Sequence, residues 1–379
     1  MVDAQALAWR YAPILVFGRD RHGRPEYFYP MDATAYIRAC ALYRPGPFRL
    51  VPRGRLTPEM LLHYPPETTR DLYFSFSSEL LMPPLKAGAL VSPPTTPHPC
   101  LAEVWDDLID QVYDFGARFV MPLVDALVPQ RLPAQIWKMA RQRYAPLDPR
   151  KPRSPDPVVY YFLEPHSESL ILHYWFFYAF NDWGTGHEGH NDHEGDWESI
   201  HLFLDPAPPH SVRWLAYAAH GFANLERATS GDVEWWGEHP IVYVGVGSHA
   251  SYFRPGVYRW NDWALGDSGF AVGPQDATLY TWPRLPAAKR PRRVRSPRLV
   301  DLRTQPWAWH FRGFWGTRFR YQWLGRAFHV LHAISGPGGP VWLAGQNRVR
   351  PQLRNPFNWA GFRRHPWELW KPSWPSRTH

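Results

Sequence analysis

Five aromatic-rich runs between residues 158 and 247 decide the fold: VVYYFLE (158–164), LILHYWFFYAF (170–180), WESIHLFLD (197–205), VRWLAYAAHG (212–221) and PIVYVGVG (240–247). Short segments containing Pro, Gly, Asn and Asp separate them. Regularly spaced strands joined by such segments are typical of a β-sandwich or barrel. Because several runs are apolar at consecutive positions, those strands should be covered on both faces. We therefore predict a mainly β protein with a β-sandwich core.

The rest of the 379-residue chain is predicted to fold around this core as a single domain. Residues 1–99 form a mixed N-terminal segment, with helices over Ala4–Tyr11 and Met31–Ala41. Residues 156–379 supply the core and a C-terminal wrap of loops and short strands. The 42 prolines exclude a helical bundle, and with the 21 tryptophans they predict long Pro/Trp-rich loops.

Residues 100–145 are predicted to be an inserted helical segment. Apolar residues recur there at three- and four-residue steps, which places them on one helix face. They are Val104, Leu108, Val112, Phe115, Phe119, Leu123 and Leu127. Packing of this face on the sheet is the favoured interpretation, and a helix on a membrane surface is the alternative.

The charge balance favours anionic partners. Lys and Arg number 42 against 34 Asp and Glu, a net charge of +8. The basic, proline-rich stretch 284–298 could grip phosphates, but no recognition helix or zinc finger accompanies it, so no specific nucleic-acid binding is expected. With two cysteines and no signal-peptide pattern, a cytoplasmic location is predicted. The oligomeric state is left open.

A polar loop between the second and third runs concentrates the chemistry. It holds seven ionisable residues: Asp182, His187, Glu188, His190, Asp192, His193 and Glu194. The following strand is predicted to start at about Asp196. Since side chains alternate along a strand, Asp196 and Glu198 share one face while Trp197 anchors the other.

These residues predict a metal site. Two ionised carboxylates on one face repel each other, and a divalent cation removes that repulsion. His193 can reach the same point from the loop, and Asp182 can complete the set from its far side. A donor set of Asp, His, Asp and Glu suits Mg²⁺, Mn²⁺ or Ca²⁺ best, with Zn²⁺ possible. The alternative is a solvated hairpin loop without a ligand.

The pattern H-x-x-D-W-E at 193–198 resembles the centre of the Vps62-related family. It is also similar to the GHRHDWE heptapeptide of the necrosis- and ethylene-inducing-peptide-like (NPP1) cytolysins. Further segments resemble the Vps62-related family. They are WRYAPILVF (9–17), EYFYP (26–30), HPIVYVGVGSHASYF (239–253), GFWG (313–316) and SGPGGP (335–340).

The resemblance implies a β-sandwich with a divalent cation at one end. Carried over by position, the ligands are Asp182, His193, Asp196 and Glu198. In the cytolysins the metal site helps to engage a glycosylated sphingolipid head group at the plasma membrane. The Vps62-related family brings no established reaction with it.

Two histidines that follow apolar strands, His220 and His249, are candidate general acid/base residues if their sheet end is also the metal end. Otherwise they are structural histidines bonded to loop backbone.

Two functions remain open. The first is non-catalytic binding of a small-molecule, sugar or glycolipid head group through the cation, with peripheral contact to an anionic membrane as a possible setting. The second is a metal-dependent hydrolase or lyase at the same site, so enzymatic activity is left undecided.

Overall fold

The computed structural model describes residues 2–18, 26–45, 48–77, 134–144, 155–166, 169–182, 192–219, 222–258, 269–271, 279–281, 294–295, 297–317 and 336–362. Most of the predicted helical insertion, including its apolar stripe, therefore lies outside the described residues. The same is true of His220 and of most of the basic stretch 284–298.

The strands of the described residues, in chain order, are β1 (Ile14–Phe17), β2 (Ala41–Arg44), β3 (Phe48–Val51), β4 (Tyr73–Ser75), β5 (Val158–Pro165), β6 (Leu170–Asn181), β7 (His193–Leu204), β8 (Val212–Ala219), β9 (Phe222–Arg227), β10 (Trp235–Trp236), β11 (His239–Val244), β12 (Ser251–Tyr252), β13 (Gly256–Tyr258), β14 (Gly269–Ala271), β15 (Leu279–Thr281), β16 (Val294–Arg295) and β17 (Arg298–Asp301). The helices are α1 (Ala4–Arg10), α2 (Ala33–Ala39), α3 (Pro58–Leu61), α4 (Pro66–Thr69), α5 (Ala134–Tyr144), α6 (Pro306–His310), α7 (Pro351–Arg354) and α8 (Pro356–Ala360), with a 3-10 turn at Leu302–Thr304. The prediction of a mainly β fold is confirmed.

The larger sheet has the strand order β17-β5-β6-β7-β8-β9. It is antiparallel from β5 to β9, and β17 adds a parallel edge. All twelve residues of β6 are buried, because both faces of this sheet are covered. Trp175 and Phe177 enter one core, and Tyr174 and Tyr178 enter the core on the opposite face. The consecutive apolar runs predicted this double coverage.

A second sheet covers one face. Its order is β10-β11-β1-β15-β16, with β12 paired to β11. Leu15 and Val242 from this sheet share a core with Leu202 and Tyr217 of the larger sheet, which gives a sandwich-like layering. The layering takes β1 from the N-terminal segment, so the β core extends beyond residues 156–379. Strand β1 pairs parallel to β11, a contact between residues more than two hundred positions apart.

Helices and a small sheet cover the other face. The small sheet has the order β3-β2-β4. Helix α5, the described part of the predicted insertion, contributes Ile136 and Ala140 to this core. Helix α2 contributes Tyr36, which packs against Phe177 and donates a hydrogen bond to the carbonyl of Trp315. No helix in the described ranges is both long and apolar enough to cross a membrane.

The helix limits differ from the predicted ones where capping residues decide them. Helix α1 matches the prediction closely, since Asp3 accepts a hydrogen bond from Ala6 N. Helix α2 begins at Ala33 rather than Met31, because Asp32 caps it. The wrap predicted as loops and short strands also forms short helices. In α8, Asn355 is the cap and Pro356 the first residue.

Candidate functional site

The site lies where β6 ends and β7 begins, under the turn that joins β11 to β12. The backbone N–H of Asp182 donates to the carbonyl of Gly247, at 2.9 Å. Asn181 donates through Nδ2 to Asp196 Oδ2 at 3.1 Å and to the carbonyl of Ser248 at 3.4 Å. These bonds fix the turn against the strand ends, so segments far apart in sequence meet at one point.

His249 occupies the centre of this arrangement. Its Nδ1 lies 2.9 Å from Asp196 Oδ2, and its Nε2 lies 3.5 Å from Glu26 Oε1. The ring is fully buried and stacks on Tyr178, with centroids 3.9 Å apart and planes 5° from parallel. The residue has a φ of 58°, a left-handed conformation that is uncommon outside glycine. The turn is therefore held in the conformation that points the imidazole at the carboxylates.

The carboxylates control the protonation of His249. Burial alone lowers the pKa of an imidazole. Here the charge of Glu26 and the hydrogen bonds to Asp196 and Glu26 outweigh burial and raise the pKa of His249 to about 9. The imidazole is therefore cationic at neutral pH.

Glu26 is a member of the site that sequence reasoning missed. Its Oε1 accepts from the backbone N–H groups of Tyr27 at 2.7 Å and Phe28 at 2.9 Å, and its Oε2 accepts from Gly247 N at 2.8 Å. Burial raises the pKa of this carboxyl, but His249 and the backbone donors reverse the effect and leave the pKa below its usual value. In the sequence Glu26 stands at the start of EYFYP (26–30), where neither adjacent residue marks it as part of a site.

Unlike Glu26, the carboxyls of Asp182 and Glu198 have raised pKa values. The pKa of Asp182 is raised well above its usual value by burial and then by the charge of Asp192, although Trp137 Nε1 donates to its Oδ2 at 2.8 Å. The pKa of Glu198 is also raised well above its usual value, by burial and by the charge of Asp196. The charges of His249 and Arg350 oppose the shift at Glu198 without reversing it, so both carboxyls favour their protonated form in the absence of a further cation.

The structure brings part of the predicted ligand set together. Asp196 contacts His249, and the charge of His249 also acts on Asp182, His193 and Glu198. The side chains do not form a coordination shell as they stand. Among the residues that the structure describes, no three His, Cys, Asp or Glu side chains are placed to hold a metal ion.

The expected position of His193 is wrong in one respect. Strand β7 begins at His193 rather than at about Asp196, so His193 belongs to the strand and not to the loop. Its Nδ1 lies 2.8 Å from the carbonyl oxygen of Gly195, and burial lowers the pKa of the imidazole. Its role as a ligand stays a prediction.

Glu194, counted in the sequence with the polar loop, lies on the opposite face of the sheet. Its Oε1 accepts from Ser75 Oγ and Phe76 N, both at 3.1 Å. Its Oε2 accepts from Thr317 N at 2.9 Å and Thr317 Oγ1 at 2.6 Å. Gly195, with a φ of 66°, interrupts the alternation of faces between Glu194 and Asp196. Glu194 is therefore a structural carboxylate that ties β7 to the small sheet.

Removing this carboxylate should destabilise the folded protein. Glu194→Ala removes the acceptor of the buried N–H groups of Phe76 and Thr317 and one partner of each neighbouring hydroxyl, and we expect it to lower the free energy of unfolding by more than about 3 kcal/mol. Glu238→Ala is the control, because its ion pair with Arg10 is exposed and should contribute at most about 1 kcal/mol. Urea unfolding of both variants checks this, and equal midpoints would contradict it.

Comparison with known proteins adds a partial structural likeness. No protein-family model matches the chain, and no curated protein matches it. Among solved structures, Necrosis and Ethylene inducing Protein 2 from the causal agent of cocoa's Witches Broom disease matches with 18% identity and a TM-score of 0.21, over 25% of this chain and 44% of that one. NLPPya in complex with glucosamine matches with 15% identity and a TM-score of 0.22, over 32% and 52%.

These likenesses are confined to part of each chain, since this chain spans about half the length of the structures it matches. Similarity at this level does not define a family and carries neither activity nor ligand over to this chain. The resemblance to the Vps62-related family stays a prediction. What the residues define is a mainly β protein with a buried carboxylate–imidazole cluster at a sheet end.

Proposed function

We propose that this cluster binds a divalent cation, and that the cation holds a polar or anionic ligand such as a sugar or phosphate head group. The observation that carries the proposal is the gathering of four carboxyl groups around His249, two of which have raised pKa values although the charges of His249 and Arg350 act on Glu198. Glu26 and Asp196 flank His249, while Asp182 and Glu198 have pKa values raised well above normal. A divalent cation would offset this charge and favour the ionised form of both raised carboxyls.

The donor chemistry fits such an ion. Carboxylate oxygens are the ligands that Mg²⁺, Mn²⁺ and Ca²⁺ prefer, and imidazole keeps Zn²⁺ possible. His249 is not among these donors, because its Nε2 faces Glu26 Oε1 at 3.5 Å and its imidazole is cationic. The residues that would hold the ion are Asp182, His193, Asp196 and Glu198, and binding requires them to move closer together than they stand. A bound cation would attract an oxygen of the ligand to the sheet end.

The binding function is favoured over the hydrolase alternative because of where His249 lies. The imidazole is fully buried, and its Nδ1 is engaged by Asp196. In this position it balances the carboxylates and does not face solvent. A cytoplasmic location and contact with an anionic membrane remain part of the proposal.

Cation binding should stabilise the fold. A cation at one hundred times its dissociation constant adds about 2.7 kcal/mol to the free energy of unfolding. We expect 1 mM MnCl₂ to raise the melting temperature of EDTA-treated protein by several degrees. Asp196→Asn should abolish most of this shift. Equal melting temperatures in MnCl₂ and in EDTA would contradict the proposal.

The ligand is tested on the metal-loaded protein. Inorganic phosphate and a methyl glycoside are titrated separately by calorimetry, with Mn²⁺ and with EDTA. Saturable binding of either probe that disappears in EDTA supports the cation-bridged site and shows which chemistry it prefers. Binding that is equal with and without the metal would place the ligand elsewhere.

A further inference from the structure

Four polar side chains form a continuous row on β5, β6 and β7, beneath the C-terminal helices and apart from the carboxylate cluster. Ser199 Oγ lies 3.0 Å from His201 Nε2. His201 Nδ1 lies 2.6 Å from His173 Nδ1. His173 Nε2 lies 3.2 Å from Glu164 Oε2. Both imidazoles are fully buried and Ser199 is 1% exposed, while the Glu164 carboxyl reaches solvent.

The ends of the row fix the direction of every hydrogen bond. Burial raises the pKa of Glu164, but its contact with His173 outweighs burial and lowers it, so the group is an ionised acceptor. His173 Nε2 must therefore donate. Burial lowers the pKa of both imidazoles, so each is neutral and has a single N–H.

The same reasoning continues inward from the carboxylate. With its proton on Nε2, His173 accepts at Nδ1, so His201 donates through Nδ1. His201 then accepts at Nε2, and the Ser199 hydroxyl donates to it. All the links point from the hydroxyl towards the carboxylate. A hydroxyl that donates to an imidazole, whose other nitrogen is held by an acceptor, is the arrangement that activates serine as a nucleophile.

An aromatic cover lies against His201, the imidazole next to the Ser199 hydroxyl. The ring of Trp359, on α8, lies 4.8 Å from that of His201. Phe357 and Phe362 pack beside it against Phe203. Helix α8 has only five residues, so moving it breaks few backbone hydrogen bonds. A molecule that enters between these rings meets an apolar lining, which suits the acyl part of an ester of an apolar acid.

We propose that Ser199 is a latent nucleophile for acyl transfer from esters of apolar acids, with His201 as its base, His173 and Glu164 as positioning residues, and α8 as its cover. Ser199 Oγ bonds to the ester carbonyl carbon while its proton passes to His201 Nε2. The carbon–oxygen bond to the alcohol then breaks, and the alcohol leaves with that proton. Water releases the acid from the acyl-serine by the same route.

The test uses a fluorophosphonate probe and a p-nitrophenyl butyrate assay on the full chain at pH 8. We expect slow labelling of the unmodified protein at Ser199, located by peptide mass spectrometry. Trp359→Ala should speed labelling about tenfold or more by opening the cover, whereas Trp236→Ala, an exposed tryptophan elsewhere, should not. Ser199→Ala should abolish labelling in both backgrounds.

A substitution at Glu164 tests the proposed role through the pH dependence of labelling, which a purely structural role for Glu164 would leave unchanged. Glu164→Gln keeps an oxygen that accepts from His173 but loses the charge. The pH profile of labelling should shift to lower pH, because the carboxylate no longer favours an imidazolium, and the plateau rate should fall about tenfold. Arg303 and His166 are the other charged or titratable groups acting on this end of the row, and both remain in the variant.

Folding of each variant is checked by near-ultraviolet circular dichroism. Should Trp359→Ala fail to fold, Phe362→Ala loosens the same cover from outside α8. Labelling at any residue other than Ser199 would overturn the proposal. Absence of labelling in both the folded protein and a folded cover variant would overturn it as well.

Discussion

Gly195→Ala is expected to lower the free energy of unfolding by more than about 3 kcal/mol. Gly195 has a φ of 66°, and a Cβ on it would overlap the backbone carbonyl of Trp315. An alanine therefore meets two costs, a left-handed backbone and a clash with main chain that cannot rotate away. The position also separates Glu194 from Asp196, so any shift disturbs both faces of β7.

Two other glycines serve as controls that have the left-handed backbone but no clash. Gly54 and Gly237 have φ values of 77° and 61°, but a Cβ on either meets nothing within 4 Å. Their alanine variants should lose only about 1–2 kcal/mol, the cost of the left-handed conformation. The measurement is urea unfolding of the three variants. Equal losses at all three positions would show that Trp315 does not restrict Gly195.

Asp196→Asn is expected to weaken divalent-cation binding by at least about tenfold. The amide oxygen can still accept from His249 and Asn181, so the packing is retained while the charge is lost. Titration of Mn²⁺ by calorimetry measures the effect. The reduced affinity follows from the proposed role of Asp196 as a cation ligand.

The matched control is Asp205→Asn. Asp205 follows the other end of β7 and pairs with Arg213 at the surface. The same chemical change there should leave Mn²⁺ affinity unaltered. An unchanged affinity in a folded Asp196→Asn protein would remove Asp196 from the site, and an equal loss in both variants would indicate a non-specific charge effect.

The strands and their faces could be predicted from the sequence where they depend only on the local alternation of side chains. Strand periodicity predicted β5 to β8, and it placed Trp197 on the face opposite Asp196. Trp197 lies in the core with Trp315, and Asp196 meets His249 on the other face. The sequence predicts Glu194 in the polar loop, but β7 begins at His193 and includes it, and the positive φ of Gly195 then places it on the face opposite Asp196. Gly195 directly after Glu194 is the feature of the sequence that indicates a possible break in the alternation.

Contacts between distant segments could not be predicted in this way. Glu26 and His249 are more than two hundred residues apart, and the parallel pairing of β1 with β11 brings their segments together. The His173–His201 contact depends on the β6–β7 register, in which these two residues are direct partners. The short C-terminal helices did have a local signal, since Asn355 followed by Pro356 is a typical helix start.

Equilibrium dialysis of chelator-treated protein against Mn²⁺ tests the central claim most directly. If buried carboxylates gather at the sheet end to hold a cation, the folded chain takes up one Mn²⁺ saturably, and excess Mg²⁺ or Ca²⁺ displaces it. A folded protein that binds no Mn²⁺ at millimolar concentration would contradict the claim, and His249 would then be the permanent counter-charge of the cluster.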